Sequence, residues 1–563
     1  MKKIGKLISL ALSLTTIASM GACGPTKVGE DIDESKTQLY VGLHQAGYGI
    51  AWFDAIKAGF EAKNPDVQLI GKPGTSAYEY NLKYNIASME EDVLFPGGGW
   101  DYNALVSEGK ILALDDVYQT VVGGKKLIDA ISENTRSYLE RNGHIYAMPT
   151  SLDGYHMVFD ADMWDEYGFW MNDEGKFELE VSNNFKKGVG QDGVAGTYDD
   201  GLPVTYSQFF ALLKVIKDAS CVPFTWSGQF WSTYLAGFTK SAVSYISGVS
   251  MEQIHSDGMD GEGIKLVTID QDKIKDIPAH QYGKFTMSSY MDKTSEKIVK
   301  WENFEEVQTL PGVYYALCFA QDIMDTSNGQ NFTNFSVHGS ESHTQAQEHF
   351  LRSVDQPSVT GGRVAMFIDG GWWENEAIAT FDDMAEKIDE KYSAENRRFG
   401  IMPFPLPDDV ASYPEARKDM GKFSANASAS YNLIINAKTK HPELAKELLK
   451  YIYSEEGIKI MREAKLSIPF DIETEQGSIS YYQQIRQEVY SMSKVAATDI
   501  VSSFGQYYET DIYQGLFLYN MNNNPFFGRF YNYYSEAGQA FAGVKEAAKS
   551  ALKLQSKLES WSK

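Results

Sequence analysis

Tryptophan and tyrosine recur beside carboxylates and glycines in several short stretches of this sequence. Trp100 and Asp101 follow Gly97-Gly98-Gly99, and Trp372, Trp373 and Glu374 follow Gly370-Gly371. Trp226 and Trp231 lie in Pro223-Phe-Thr-Trp-Ser-Gly-Gln-Phe-Trp231, His44 and Tyr48 share one short segment, and Asp153 and Tyr155 share another. Flat aromatic faces cover the apolar C–H faces of a pyranose, and fixed polar groups satisfy its hydroxyls. These residues form the candidate ligand-binding set: Trp372, Trp100, Asp101, Trp226, Trp231, His44, Tyr48, Tyr155, Asp153 and Glu374. The competing reading is packing. With 10 tryptophans in the chain some must be core, Trp373 first among them, and Asp101 could cap a helix instead.

Signatures of catalysis are missing. The chain carries no G-x-x-x-x-G-K-[ST], no H-E-x-x-H and no G-x-S-x-G, so it lacks a phosphate-cradling loop, a zinc-protease helix and a nucleophile elbow. Carboxylates are abundant, but nothing in the sequence singles out an acid pair of the glycosidase kind. The expectation is a protein that is not an enzyme and needs no cofactor. Asp192, Asp199 and Asp200, interleaved with glycines, could supply oxygen ligands to calcium, but the spacing and closing glutamate of an EF-hand are missing. A polar turn ahead of a helix capped near Thr205 or Ser207 is the favoured reading, with no metal. The three cysteines, Cys23, Cys221 and Cys318, are too few for a cysteine zinc site; the last two either pair or stay as buried thiols.

The N-terminus limits where such a site operates. Lys2, Lys3 and Lys6 precede a short apolar stretch from Leu7 to Ala18, and small residues then lead to Cys23. This order reads as a secretory signal over 1–22, too short and wrongly flanked for a membrane span. Met20-Gly21-Ala22-Cys23 resembles a bacterial lipobox, which implies a lipid on Cys23; an ordinary signal peptide cut nearby is the alternative. Residues 23–37 are polar and acidic without apolar periodicity, as expected of a flexible tether. No later run is long and apolar enough to span a bilayer, so the lipid would be the sole membrane attachment. A formal net charge of −25 opposes binding to nucleic acid.

The 563 residues exceed one comfortable core. Gln38-Leu-Tyr-Val-Gly-Leu43 reads as a strand, and Trp52, Ile56 and Phe60 line one helix face up to Asn64-Pro65. Asp66–Ile70 and Asp92–Phe95 read as two further strands, with a helix from about Tyr78 to Met89 between them. Strands alternating with helices indicate a parallel sheet whose ligand crevice lies at the strands' carboxyl ends. The loops after Leu43 and Phe95 sit at two of those ends.

Four segments resemble the family-one solute-binding proteins, the group that includes maltose-binding protein. They are Asp92–Asp101 with Gly109-Lys-Ile-Leu-Ala-Leu114; Gly143-His-Ile-Tyr-Ala-Met-Pro149 with Met157–Trp164; Gly362-Arg-Val-Ala-Met-Phe-Ile-Asp-Gly-Gly-Trp-Trp373; and Phe399–Phe404 with Ala429–Asn436 and Pro442–Leu449. Together they cover about 38–470, leaving 169–200 and about 241–300 unmatched. The resemblance implies an α/β, periplasmic-binding-protein-like architecture: two α/β lobes joined by a multi-crossing hinge with an interlobe ligand cleft. Lobe one would be 38–150 plus 402–470 and lobe two 151–401 plus 471–563, with crossings near Pro149-Thr150 and Met402-Pro403. It further implies that the tryptophan after the two glycines, Trp372, stacks on a sugar, and that Trp100-Asp101 and the segment with Trp226 and Trp231 are ligand contacts. The protein would be a monomeric carbohydrate receptor on the extracellular face of a bacterial cell membrane, delivering to ABC permease subunits with a separate ATPase. A surface-anchored carbohydrate-active enzyme or sugar-binding adhesin is the alternative, and a sensory role beside a membrane kinase is another.

Overall fold

The computed structural model describes residues 32–492 except 46, 75, 97–101, 133–134, 137–138, 178–184, 228–245, 247–261, 279, 301–302, 304–305, 307–309, 325–331, 334–340, 413–427 and 473–478. The expected signal segment, Cys23, most of the expected tether, Trp100, Asp101, Trp231 and the far C-terminal stretch lie outside the described residues.

The first sheet grows from β1 (Thr37–His44), which buries Leu39, Val41 and Leu43 by simple alternation. It pairs in parallel with β2 (Val67–Gly74) and β3 (Val93–Phe95), with Leu39 opposite Leu69 and Val41 opposite Val93. The helix Ala51–Lys63 joins β1 to β2 and buries Trp52, Phe53, Ile56 and Phe60, the face expected from their spacing. Two short ribbons follow, β4–β5 (Val121–Val122 with Lys125–Lys126) and β6–β7 (Glu140–Arg141 with His144–Ile145).

The chain then enters β8 (Met148–Asp153), at one edge of the first sheet. It crosses at Gly154 and continues as β9 (Tyr155–Asp160) in a second sheet, so the crossing falls a few residues after Pro149-Thr150. Pro149 stands opposite Asn432 within the ladder. An edge strand tolerates proline because its missing N–H faces outward.

The second sheet has the order β10-β13-β9-β14, where β10 is Val222–Thr225, β13 is Val364–Gly370 and β14 is Phe399–Met402. Between β10 and β13 the chain also forms an antiparallel ribbon, β11 (Ile264–Ile269) with β12 (Thr294–Val299), inside a stretch that the resemblance left unmatched. All of β13 is buried, because both faces of this sheet are covered. Val158, Phe367, Phe399 and Ile401 face one core, shared with the helices His343–Arg352, Ile378–Lys387 and Tyr481–Met492. Met157, Phe159, Met366, Ile368 and Met402 face another, roofed by the helices Tyr206–Asp218 and Pro311–Met324. Capping boxes start two of these helices, at Thr205 with Gln208 and at Ser342 with Gln345.

The return crossing lies beyond Met402-Pro403. Phe404, Leu406 and Val410 still pack in the second core, and the chain rejoins the first sheet as β15 (Ser428–Ile435). β15 runs antiparallel to both β3 and β8, so the first sheet is mixed rather than wholly parallel. Cys221 and Cys318 are both free and buried.

Candidate functional site

β1 delivers His44 to the carboxyl end of the first sheet, and a tight loop follows. Gly47 there has φ +60, and a Cβ on it would stand 2.3 Å from the Tyr431 hydroxyl, so only glycine fits both the backbone and the space. Tyr431, from β15, centres an aromatic group. Its ring stacks on Phe95 at 5.7 Å, meets Tyr48 edge-on at 5.3 Å and lies 6.2 Å from His44. His44 is only 9% exposed. Burial pushes its imidazole down to about 4, so it presents a neutral ring at physiological pH.

The second sheet brings a matching loop to the same place. β13 ends at Gly370, where a Cβ would run into the folded-back indole of Trp372 at 2.3 Å. The absence of a side chain at Gly370 lets the half-buried Trp372 lie over the loop. Its ring meets the half-buried Tyr155 edge-on at 5.8 Å, and Gly371 N–H donates to Gly154 C=O at 2.9 Å. Trp373 turns the other way, fully buried among Phe367, Phe399 and Tyr482. The next turn touches the first sheet's loop directly: Asn375 Nδ2 donates to Gly47 C=O at 3.1 Å.

Glu374 lies underneath, 2% exposed. It accepts a hydrogen bond from the Ser480 hydroxyl at 2.8 Å and sits 3.6 Å from Lys465 Nζ. Burial raises its carboxyl, against the opposing pull of Lys465, Ser480 and Arg486. The Arg486 guanidinium also lies 5.4 Å from the Tyr48 ring centre.

The structure therefore assembles His44, Tyr48, Tyr155, Trp372 and Glu374 around one junction between the two sheets. Asp153 ends β8 opposite Ser428, one residue before the crossing. Of this group, Trp372 and Tyr155 present the most accessible rings, while Tyr48 is 1% exposed and engaged in packing. Trp226 is not brought to the junction. It follows β10 and packs edge-on to Phe224 in the second core, 4% exposed. Trp100, Asp101 and Trp231 lie outside the described residues. Sequence reasoning missed Tyr431, Asn375 and Arg486; β15's strand pattern was visible, but nothing local marks Tyr431 as meeting the loop after β1.

The aspartate-rich turn is closed on itself. Asp199, 1% exposed, accepts from Gln191 N–H at 2.6 Å, Asp192 N–H at 3.2 Å and the Thr197 hydroxyl at 3.0 Å. Asp200 accepts from Gly196 N–H and Asp192 from Val194 N–H, both at 2.7 Å. These carboxylates organise their own backbone, and no group of three or more potential metal ligands occurs among the described residues.

A sequence profile of bacterial extracellular solute-binding protein matches residues 352–459, the span that holds β13, the Trp372 loop, β14 and β15. No curated protein sequence matches the chain. Solved structures match much more of it. The solute-binding protein RafE in complex with raffinose is 14% identical, with 92% of this chain and 100% of that one covered at a TM-score of 0.53. A chitin oligosaccharide binding protein is 14% identical, with 92% and 100% covered at a TM-score of 0.54. The GacH receptor of Streptomyces glaucescens GLA.O, solved with and without acarbose, is 13% identical, with 92% and 99% covered at 0.53. The chain thus resembles the family-one extracellular solute-binding proteins, and its fold is periplasmic-binding-protein-like. No helix among the described residues is long and apolar enough to cross a membrane.

Proposed function

We propose that this protein is a lipid-anchored extracellular receptor that captures a mono- or oligosaccharide between two lobes and delivers it to an ABC importer. The observation that carries this reading is the pair of half-buried rings, Trp372 and Tyr155, set edge to face where the loops after β1 and β13 meet. An indole supported from behind by its own glycine turn offers a face to the C–H surface of a sugar. Neutral His44 adds a polar group that can hydrogen-bond without fixing a charge. The likeness in fold to receptors whose structures hold raffinose or acarbose supports the same ligand class.

The lobes would divide about as 38–150 plus 402–470 and 151–401 plus 471–563, and closure about the crossings would enclose the ligand. The protein binds rather than catalyses in this reading, acts as a monomer, and presents its closed form to permease subunits served by a separate ATPase. Cys23 carries the lipid, and metabolic labelling with a fatty acid tests it: label on the wild type that is lost in Cys23→Ser is the expected result. Ligand class is tested by thermal shift of the full chain against raffinose, maltooligosaccharides, chitooligosaccharides and monosaccharides. A ligand at 100 times its dissociation constant adds about 2.7 kcal/mol, and a panel in which no sugar raises the melting temperature contradicts the proposal.

A further inference from the structure

We infer that Arg486 is the positioning residue of the Trp372 loop, clamping it to the first sheet through a buried three-charge junction. Arg486 lies on the helix Tyr481–Met492, which packs against β14 of the second sheet. It is 1% exposed, one of the largest fully buried side chains among the described residues. Taking a guanidinium out of water costs several kcal/mol unless its donors are well met. A leucine or methionine would fill this space without that penalty, so the donors must do something packing cannot.

Their partners come from two sides. Arg486 Nη1 donates to Gly371 C=O, the residue immediately before Trp372. Nη2 donates to Lys465 C=O at 2.5 Å and Nε to the Ser467 hydroxyl at 3.2 Å. Gly371 leaves the second sheet, whereas Ser467 is fastened to the first: its carbonyl accepts from Leu152 N–H at 2.8 Å and its N–H donates to the Ser151 hydroxyl at 3.2 Å. A planar fork with fixed donor directions suits this bridging, and a lysine could reach only part of it.

A second tie crosses the same boundary. Glu374, two residues beyond Trp372, stands 3.6 Å from the Lys465 ammonium, and both are nearly buried. Lys465 holds φ +66, a left-handed conformation uncommon for a residue with a side chain. It closes the helix Glu455–Glu463, with Lys465 N–H donating to Arg462 C=O at 2.9 Å and Leu466 N–H to Met461 C=O at 3.1 Å, and Arg486 engages the carbonyl that this turn presents. The Trp372 loop is therefore held at Gly371 and again at Glu374, on either side of the indole. Arg486 touches no proposed ligand; it acts by fixing where Trp372 stands.

The inference rests on the reading of Trp372 as a sugar platform, but its primary test needs no sugar. The full chain is labelled with 5-fluorotryptophan, and the fluorine resonance of Trp372 is assigned by its loss in Trp372→Phe. In Arg486→Met that resonance should shift or broaden, while those of Trp52 and Trp164, each buried in a different core, stay in place and unfolding stays cooperative. Arg486→Lys should displace it less. An unmoved Trp372 resonance in folded Arg486→Met overturns the inference. Should that variant fail to fold, Arg486→Lys decides, and an unmoved resonance there overturns it equally. Calorimetric titration with raffinose and a chitooligosaccharide separates the two levels. Wild type that binds neither removes support for the sugar reading alone and leaves the fluorine result to decide the clamp. Binding by wild type that weakens about tenfold or more in Arg486→Met supports both, and equal affinity overturns the clamp.

Discussion

In the second core, Asp322 accepts hydrogen bonds from Gly283 N–H, His280 Nε2 and the Tyr206 hydroxyl at 2.8, 2.9 and 3.0 Å. At the junction between the sheets, the polar and aromatic groups instead surround rings that remain half-buried, Trp372 and Tyr155. By residue type the first cluster is the more tempting, since Cys318 adjoins His280 and Asp322 completes a nucleophile, base and orienter. Yet Cys318 and Asp322 are buried, burial raises the thiol, and Tyr206, Phe285, Tyr315 and Phe319 pack around the group. Saturated and enclosed, it holds the core together. Function is better sought at the junction, where rings keep an accessible face and glycines hold the loops.

The largest effect that sharpens this contrast is on Asp322. Asp322→Ala removes the acceptor shared by the buried donors of Tyr206, His280 and Gly283 and should lose about 3–5 kcal/mol of stability. Denaturant unfolding measures it, and a loss below about 1 kcal/mol would break the contrast.

Next comes pH, where the two regions should respond in opposite directions. Burial pulls His280 down, but the neighbouring Cys318 and Asp322 outweigh it and raise the imidazole to about 10. Its contribution is complete below the unfolded value near 6.5 and is lost as pH rises toward 10. Near the junction, burial lowers His44 to about 4, and burial with Arg486 lowers His156 to about 3. Their contribution is complete above about 6.5 and is lost as pH falls through 4, at up to about 1.4 kcal/mol per pH unit for each histidine. Urea midpoints from pH 4 to 10 should fall at both ends. His44→Asn should soften only the acid limb and His280→Gln only the alkaline one; a shared response would contradict the assignment.

A smaller effect is expected at Gly47. Gly47→Ala forces a Cβ onto the Tyr431 hydroxyl in a left-handed backbone and should cost about 1–2 kcal/mol, with weakened sugar affinity. Calorimetry of the variant measures both, and an unaltered affinity would detach this loop from the site.

Much of this was legible from local pattern. Short runs of strand-forming residues located β1 and β3, alternation located β2, the spacing of Trp52, Ile56 and Phe60 located the first helix, and two glycines before an indole marked the Trp372 turn. What was not legible depends on contacts distant in the chain. Pro149 suggested a break but sits in an edge strand, and Pro403 ends β14 while Phe404, Leu406 and Val410 keep the chain in the second core. Trp226 reads as another aromatic loop residue until its packing on Phe224 is seen. Arg486 is the furthest from its prior, because an arginine on an amphipathic helix is ordinarily a surface group.

The central claim is that Trp372 is a ligand platform rather than a core residue. Calorimetric titration of wild type and Trp372→Ala with the sugar that most stabilises the wild type, alongside thermal unfolding of both, tests it most directly. The account predicts affinity weakened by about 30-fold or more, the scale of losing one aromatic anchor, with the melting temperature little changed. Unchanged affinity with a sharply lowered melting temperature would contradict it and return Trp372 to the core.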